Sequence, residues 1–159
     1  MTPVLLSVLV PLYNERAYIF TLLERVVRAP LPPGVTLEII VVDDASQDGS
    51  ADEVCRFQVL HPEIVRLIRH ERNRGKGAAI RTAIEYARGD ISVVQDADLE
   101  YDPRDYAHLL KPILEGRADA VFGSRFATST ERRVLYFWHS LANHILTTAC
   151  NIVSDLNLT

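Results

Sequence analysis

Cysteine is scarce in this chain: Cys55 and Cys150 are its two, far apart and in no CxxC pair. That excludes a zinc ribbon and a disulfide framework and makes a reducing compartment the expectation. An excess of basic residues is missing too. The formal net charge is -4, whereas a general nucleic-acid binder carries a positive footprint, so no nucleic-acid partner is expected. Long clean apolar runs are also lacking. The opening "MTPVLLSVLVPLYNE" is brief, has neither the basic start nor the small-residue cleavage site of a signal peptide, and reads as a buried first strand. The segment "VLYFWHSLANHILTTACNIV", residues 134 to 153, carries His139, Asn143, His144 and Asn151, too polar for a spanning helix. Tandem repeats and low-complexity tracts are absent.

What remains is a chain of 159 residues, 48% hydrophobic and 24% charged, suited to one soluble domain with a real core. Its apolar spacing predicts strands at Leu5 to Val10, Leu37 to Val42, Ile64 to Ile68, Ile91 to Val94 and, shorter, Asp119 to Phe122. Helical spacing is expected over Glu15 to Arg28, Asp48 to Val59, Gly77 to Ala87 with Gly89 as its stop, and Pro103 to Glu115 with proline at the start. Alternation of this kind predicts an α/β fold with a doubly wound, mostly parallel sheet.

In open sheets of that class, ligands bind outside the carboxyl ends of the strands. Each expected strand end here carries an unusual polar group: "PLYNE" (Pro11 to Glu15), "DDAS" (Asp43 to Ser46), "ERNRGKG" (Glu71 to Gly77) and "QDADLE" (Gln95 to Glu100). Loops are normally polar, so one such group means little. Four on a shared rim make a site.

Asp96 and Asp98 are two apart, which in an extended segment sends both carboxylates the same way, ready to grip one Mg²⁺ or Mn²⁺ and leave positions for phosphate oxygens. Capping by Asp102 explains one carboxylate of this cluster and leaves Asp96 and Asp98 over. Glu100 stands between a third ligand and a solvated residue. At the second strand end, Asp44 more than Asp43 suits acceptance of a ribose or base N–H, against an Asx-turn or cap role that Ser46 or Asp48 also fits. Tyr13 offers an aromatic face to a nucleobase, while Asn14 and Glu15 suit either its edge or a helix cap. "NRGKGAA" lacks the first glycine and the Ser/Thr of a Walker motif. Arg74 and Lys76 nonetheless stand at a helix N-terminus, where anions are favoured; a glycine turn with solvated basic residues fits equally. Arg125 in "FGSRF" and the pair Arg132–Arg133 are candidates for a second phosphate.

Together "VLVPLYNE", "VVDDASQDGS", "NRGKGAAI", "QDADLEYDP" and "GSRF" resemble the family 2 glycosyltransferases of the GT-A fold, nearest the dolichyl-phosphate mannose synthase and polyprenyl-phosphate glucosyltransferase branch. The resemblance implies an inverting transfer of a hexose from a nucleotide-diphosphate sugar, with UDP and GDP both open. By the resemblance Pro11, Tyr13, Glu15, Val42 and Asp44 contact the nucleoside. Asp96 and Asp98 form a DxD-type motif around a divalent ion with backbone help at Ala97, and Glu100 supplies a further oxygen. Lys76 is expected on the donor. Asp98 and Arg125 stand nearest the chemistry, and Arg125 with one of Arg132–Arg133, taken as Arg133, meets acceptor phosphate. A lipid-phosphate acceptor needs no general base, and no "ED" base motif follows residue 126, which favours polyprenyl phosphate over a sugar hydroxyl.

The same likeness divides the chain into a nucleotide-sugar-binding core, residues 1–126, and a partial acceptor-side or membrane-proximal helical segment, residues 127–159; relatives usually continue past "SDLNLT". Segment 134–153 places Trp138, Leu141, Ala142, Ile145, Ala149 and Ile152 on one helical face, fit for a membrane interface, for packing on the sheet or for a homodimer contact. The expected location is cytoplasmic, at the cytoplasmic face of a membrane. The rival reading is a nucleotide-sugar-binding module that transfers nothing. A receiver domain and a dehalogenase-type phosphatase both place their acidic motif after the first strand, and a nicotinamide domain needs GxGxxG where "PLYNERA" stands.

Overall fold

A computed structural model describes residues 3–123, 145–148 and 150. The elements run β1 (Val4–Leu12), α1 (Arg16–Val27), β2 (Val35–Asp43), α2 (Ser50–Leu60), β3 (Val65–Arg69), α3 (Lys76–Tyr86) and β4 (Ile91–Val94). A single 3-10 turn, Pro103–Asp105, then leads into α4 (Tyr106–Leu114). By contacts the chain divides into two units, Met1–His108 and Leu109–Thr159.

The first unit holds a four-stranded sheet in the order β3-β2-β1-β4, every neighbouring pair parallel. Handedness explains its layers. The chain steps from β1 to β2 to β3 in one direction and then returns across two strands to β4. Right-handed crossovers therefore put α1 and α2 on one face and α3 on the other. On the first face Phe20 of α1 meets Phe57 of α2 edge-on, with ring centroids 5.2 Å apart. On the second, Ala79 and Ala83 of α3 pack on Leu9, Ile40 and Val42, with Ile68 and Ala87 beside them. Two alanines at helical spacing let α3 lie close to the strands. Because successive strand residues point to opposite faces, Val8, Val10, Ile39 and Val41 serve the α1/α2 side. Each large side chain so buried contributes roughly 1.5–3 kcal/mol. This is why β1 and β2 read as largely apolar runs, with Ser7 and Glu38 as the polar exceptions inside them.

The α3 side carries a polar island at the amino end of the sheet. Ser7 and Glu38 are register partners on β1 and β2, and Ser7 Oγ donates to Glu38 Oε1 at 2.7 Å. Arg88 donates to the same carboxylate from its backbone N (2.7 Å) and its guanidinium (3.0 Å twice). The Gly89 N–H donates to Ser7 Oγ, and Leu5 N to Asp90 Oδ2. Burial would raise the Glu38 carboxyl, but the bonds from Arg88 and Ser7 outweigh it and hold it below its usual range. These contacts pin the α3–β4 connection under the amino ends of the strands. Gly89 is therefore a close-approach residue: a Cβ there would sit 2.5 Å from Ser7 Oγ and 2.6 Å from the Leu5 carbonyl oxygen. The helix before it stops at Tyr86, with Ala87 already extended, so the expectation that Gly89 ends α3 gives way to this packing role.

Asp102 caps as expected, its Oδ1 accepting from Arg104 N at 2.9 Å. The helix expected from Pro103 instead begins as a 3-10 turn. Tyr106 turns inward, and its hydroxyl donates to the buried Gln95 Oε1 at 2.8 Å.

In the second unit, α4 closes at Leu114 and Gly116 turns the chain at φ 67°. The fifth strand expected at Asp119 to Phe122 is not formed: these residues are irregular and Phe122 is 66% exposed. A strand exists through its ladder partner, and β-propensity over four residues does not supply one. Of segment 134–153, residues 145–148 and 150 are described, and they are helical. Among the described residues no helix is long and apolar enough to cross a membrane.

Candidate functional site

The strand order changes direction at β1: its chain neighbour β2 lies on one side and β4 on the other. The loops beyond β1 and β4 diverge there and leave a crevice at the carboxyl edge. A cavity of about 290 Å³ occupies it. From β1 and its loop come Pro11, Leu12, Tyr13 and Glu15, and from β2 comes Asp44. Asn73, Gly75, Lys76 and Ala79 enter from α3 and the loop before it; Asp96, Ala97 and Asp98 follow β4. Eight residues expected from the sequence thus share one cleft: Pro11, Tyr13, Glu15, Asp44, Lys76, Asp96, Ala97 and Asp98.

Local structure explains each placement. After β1 the chain turns through Asn14, whose φ is 55°. Asn14 is tied to the next loop, with Oδ1 accepting from Gln47 N (2.8 Å) and its own N–H reaching Ser46 Oγ (2.9 Å). Asp48 accepts from Arg16 N and from both the backbone N and hydroxyl of Ser50, while Ser50 Oγ accepts from Glu15 N. One carboxylate thus serves the first turns of α1 and α2. Glu15 makes no side-chain cap and presents its carboxyl to the cleft. Burial pushes that carboxyl's pKa up, and the negative charges of Asp98 and Asp48 add to the shift.

Asp43 closes the loop locally, its Oδ1 accepting from Ser46 N three residues on at 3.1 Å, across Ala45 at φ 64°. Asp44 does something the sequence does not announce. Its carboxylate accepts from His70 Nδ1 (2.7 Å), Arg74 N (2.9 and 3.0 Å) and Gly75 N (2.7 Å). Burial alone would raise its pKa; the bonds from His70, Arg74 and Gly75 outweigh that and hold it low. Three donors against about four lone-pair positions leave room for one more. Gly75 precedes α3 at φ 86°, ψ 159°, a conformation open to glycine, and Lys76 begins the helix.

The DxD segment is not extended. The chain turns at Ala97–Asp98, Leu99 takes φ 64°, and Asp98 Oδ1 accepts from Glu100 N at 3.0 Å. Asp96 and Asp98 still line the same cleft, brought there by the turn and not by strand alternation. Gln95 holds the turn from behind, its amide donating to the carbonyls of Asp96 and Tyr101. Lys76 Nζ lies 2.6 Å from Asp96 Oδ1. Among the described residues no group of three or more His, Cys, Asp and Glu side chains gathers to hold a metal, so Glu100 does not join Asp96 and Asp98 in a three-donor cluster. The two aspartates remain hard oxygen donors of the kind Mg²⁺ and Mn²⁺ take alongside phosphate.

Val42 lies outside the lining; it is fully buried in the core beneath α3. Arg125, Arg132 and Arg133 lie outside the described residues. Sequence reasoning passed over His70 and Asn73. The signal for His70 was a histidine directly after β3, on the same edge as the acidic end of β2. For Asn73 it was an amide one residue before Arg74-Gly75, whose Oδ1 accepts from Gly75 N at 3.1 Å.

The glycosyl transferase family 2 model matches residues 7–154. A dolichol-phosphate mannosyltransferase of Pyrococcus furiosus is 35% identical over 120 residues, 76% of this chain and 33% of that protein. An undecaprenyl-phosphate 4-deoxy-4-formamido-L-arabinose transferase of Pseudomonas aeruginosa is 37% identical over 112 residues, 70% of this chain and 33% of its own length. The chain spans about a third of the length of these curated relatives. Among solved structures, the mannosyltransferase PcManGT of Pyrobaculum calidifontis, in complex with GDP-Man and Mn²⁺, superposes with a TM-score of 0.57 at 36% identity, over 66% of this chain and 30% of that one. S. aureus TarS in complex with UDP gives 0.56 at 27% identity, over 70% and 32%. With its parallel α/β sheet of the GT-A glycosyltransferases, the chain belongs to glycosyl transferase family 2.

Proposed function

We propose that the chain carries the donor side of an inverting hexosyl transfer from a UDP- or GDP-linked sugar to a polyprenyl or dolichyl phosphate. The observation that carries this reading is the meeting of Tyr13, Asp44, Lys76, Asp96 and Asp98 in one cleft at the carboxyl edge. Among the relatives named above, one is in complex with GDP-Man and Mn²⁺, and two are named for polyprenyl-type phosphates.

In this reading Tyr13, 47% exposed, gives its ring face to the base, with Pro11 beside it. The remaining lone pair of Asp44 takes a nucleoside N–H or O–H. The free amino end of α3 and the Lys76 ammonium face the diphosphate, where helix end and cation both favour negative charge. Asp96 and Asp98 would hold Mg²⁺ or Mn²⁺, with Ala97 backbone support, and that ion would supply charge neutralisation for the departing nucleotide diphosphate. Lys76 leaves Asp96 for a phosphate oxygen as the donor arrives. An acceptor phosphate oxygen forms the new bond to the anomeric carbon as the bond to the nucleotide diphosphate breaks on the opposite side. That oxygen is already anionic, so no carboxylate base is required. Arg125 and Arg133 are assigned to acceptor phosphate. A cytoplasmic membrane face suits a lipid acceptor.

Calorimetry tests the donor site. Mn²⁺ is expected to tighten UDP or GDP binding, and Asp98→Ala to abolish that metal effect. Binding indifferent to metal contradicts the site. A donor panel with polyprenyl phosphate tests the transfer: sugar moved to lipid supports it, and binding without turnover favours the module that holds donor and transfers nothing.

A further inference from the structure

We infer that His70 is a positioning residue for the donor site, setting the phosphate-facing end of α3 through Asp44 without touching ligand. The inference rests on the proposed function in one respect, that the ligand is a nucleotide diphosphate.

Buried bonds carry it. The His70 backbone N–H donates to the Asp43 carbonyl at 2.9 Å, continuing the β2–β3 ladder one step past Arg69. This fixes the ring at the carboxyl edge. Nδ1 stands 2.7 Å from Asp44 Oδ1 and Nε2 2.9 Å from Thr82 Oγ1, and the side chains of His70 and Asp44 are 6% and 3% exposed. Because the Asp44 carboxyl is held low, it offers no proton. Nδ1 therefore carries the hydrogen and donates it, and Nε2 faces the hydroxyl of Thr82.

The imidazole is thus a bracket between two places on one helix. Thr82 lies midway along α3. Asp44, at the other end of the bracket, receives the N–H groups of Arg74 and Gly75 immediately before that helix. Asp44 is itself moored to β1, its N–H donating to the Leu12 carbonyl at 2.8 Å. Its carboxylate takes the Arg74 N–H across both oxygens and the Gly75 N–H on Oδ2, and both of these donors belong to the loop being positioned. The donor from His70, held by the end of β3, anchors Oδ1 independently of that loop and so sets the carboxylate's plane. The plane of Asp44 in turn fixes where Gly75 and Lys76 line the cleft. Orienting groups one shell away from a ligand commonly matter tenfold or more for affinity.

Three substitutions separate this from a packing role. His70→Asn retains an amide N–H near the Nδ1 position and loses the reach to Thr82. His70→Gln extends toward Nε2 and loses the donor to Asp44; His70→Ala loses both. Binding of UDP and GDP with Mn²⁺ is measured by calorimetry, alongside hydrogen exchange of the Arg74 and Gly75 amides in ligand-free protein. The Ala and Gln variants are expected to bind the nucleotide about tenfold more weakly and to lose protection at both amides. The Asn variant is expected to stay within about threefold of the parent with protection kept. If Ala does not fold, the Asn–Gln contrast carries the same test. Parental affinity in the Gln variant, or equal loss in Asn and Gln, overturns the inference while leaving the donor site standing. A parent chain that binds neither nucleotide overturns the proposed function and this inference with it.

Discussion

The two ends of the sheet differ in the carboxylates they leave without an ion pair, although the buried Asp44 at the carboxyl end is as well bonded as Glu38 at the amino end. At the amino end Glu38 is saturated by Ser7, the Arg88 backbone and the Arg88 guanidinium, and its carboxyl is held low. At the carboxyl end Glu15 and Asp98 share a cleft with no ion pair to either among the described residues, and Glu15 is pushed up. The backbone repeats the contrast. Asn14, Ala45 and Leu99, the non-glycine residues with positive φ among those described, all lie in carboxyl-edge loops. The amino end has close packing around Gly89 instead. Uncompensated charge and left-handed backbone both cost stability, and their concentration at one edge is how a binding site differs from a fastening.

Breaking the fastening has the largest effect. Gly89→Ala drives a methyl into Ser7 and the Leu5 carbonyl and is expected to cost about 3 kcal/mol, read from urea denaturation, because the obstacle is partly backbone. Asp98→Asn does the reverse. Nucleotide affinity in the presence of Mn²⁺ is expected to fall about thirtyfold, while the midpoint of unfolding holds or rises as repulsion on Glu15 is relieved. Smaller still, Tyr106→Phe strips the Gln95 carbonyl of its donor and is expected to cost about 1 kcal/mol, again by denaturation. Ala45→Gly is expected to stabilise by about 1 kcal/mol, since glycine accepts φ 64° without strain.

The pH dependence of stability separates the edges by sign. For Glu38 the folded pKa lies below the unfolded one, so its contribution is present above the unfolded value and is lost as pH falls through the folded value. For Glu15 the folded pKa is raised, so stability falls as pH rises between the unfolded and folded values. Stability curves for Glu38→Gln and Glu15→Gln, compared with the parent, should lose slopes of opposite sign; equal slopes would erase the distinction.

Much of this was legible in the sequence. Apolar runs ending in "PLYNE", "DDAS" and "QDADLE" gave both the parallel strands and the rim they share, because burial on both faces and polarity at the exit are local properties. What was not legible depends on partners far along the chain. The bond from His70 to Asp44 spans 26 residues. It turns an expected ligand contact into a shared one. The Asp96–Asp98 turn rests on Gln95, whose own partner Tyr106 sits at the start of α4. Val42 matched a nucleoside-binding pattern by position, yet its side chain fills the contact with α3. The missing strand at Asp119 to Phe122 shows the same limit, since propensity is local and pairing is not.

Paramagnetic broadening measures the contrast between the edges most directly. Mn²⁺ is titrated with UDP or GDP into isotopically labelled chain, and the backbone amides are followed. The amides of Glu15, Gly75, Ala97 and Asp98 should broaden first and only with nucleotide present, while Ser7, Arg88 and Gly89, more than about 10 Å down the strands, stay sharp. Broadening that begins at Arg88 and Gly89, or that ignores the nucleotide, would contradict a cation-organised diphosphate site at the carboxyl edge.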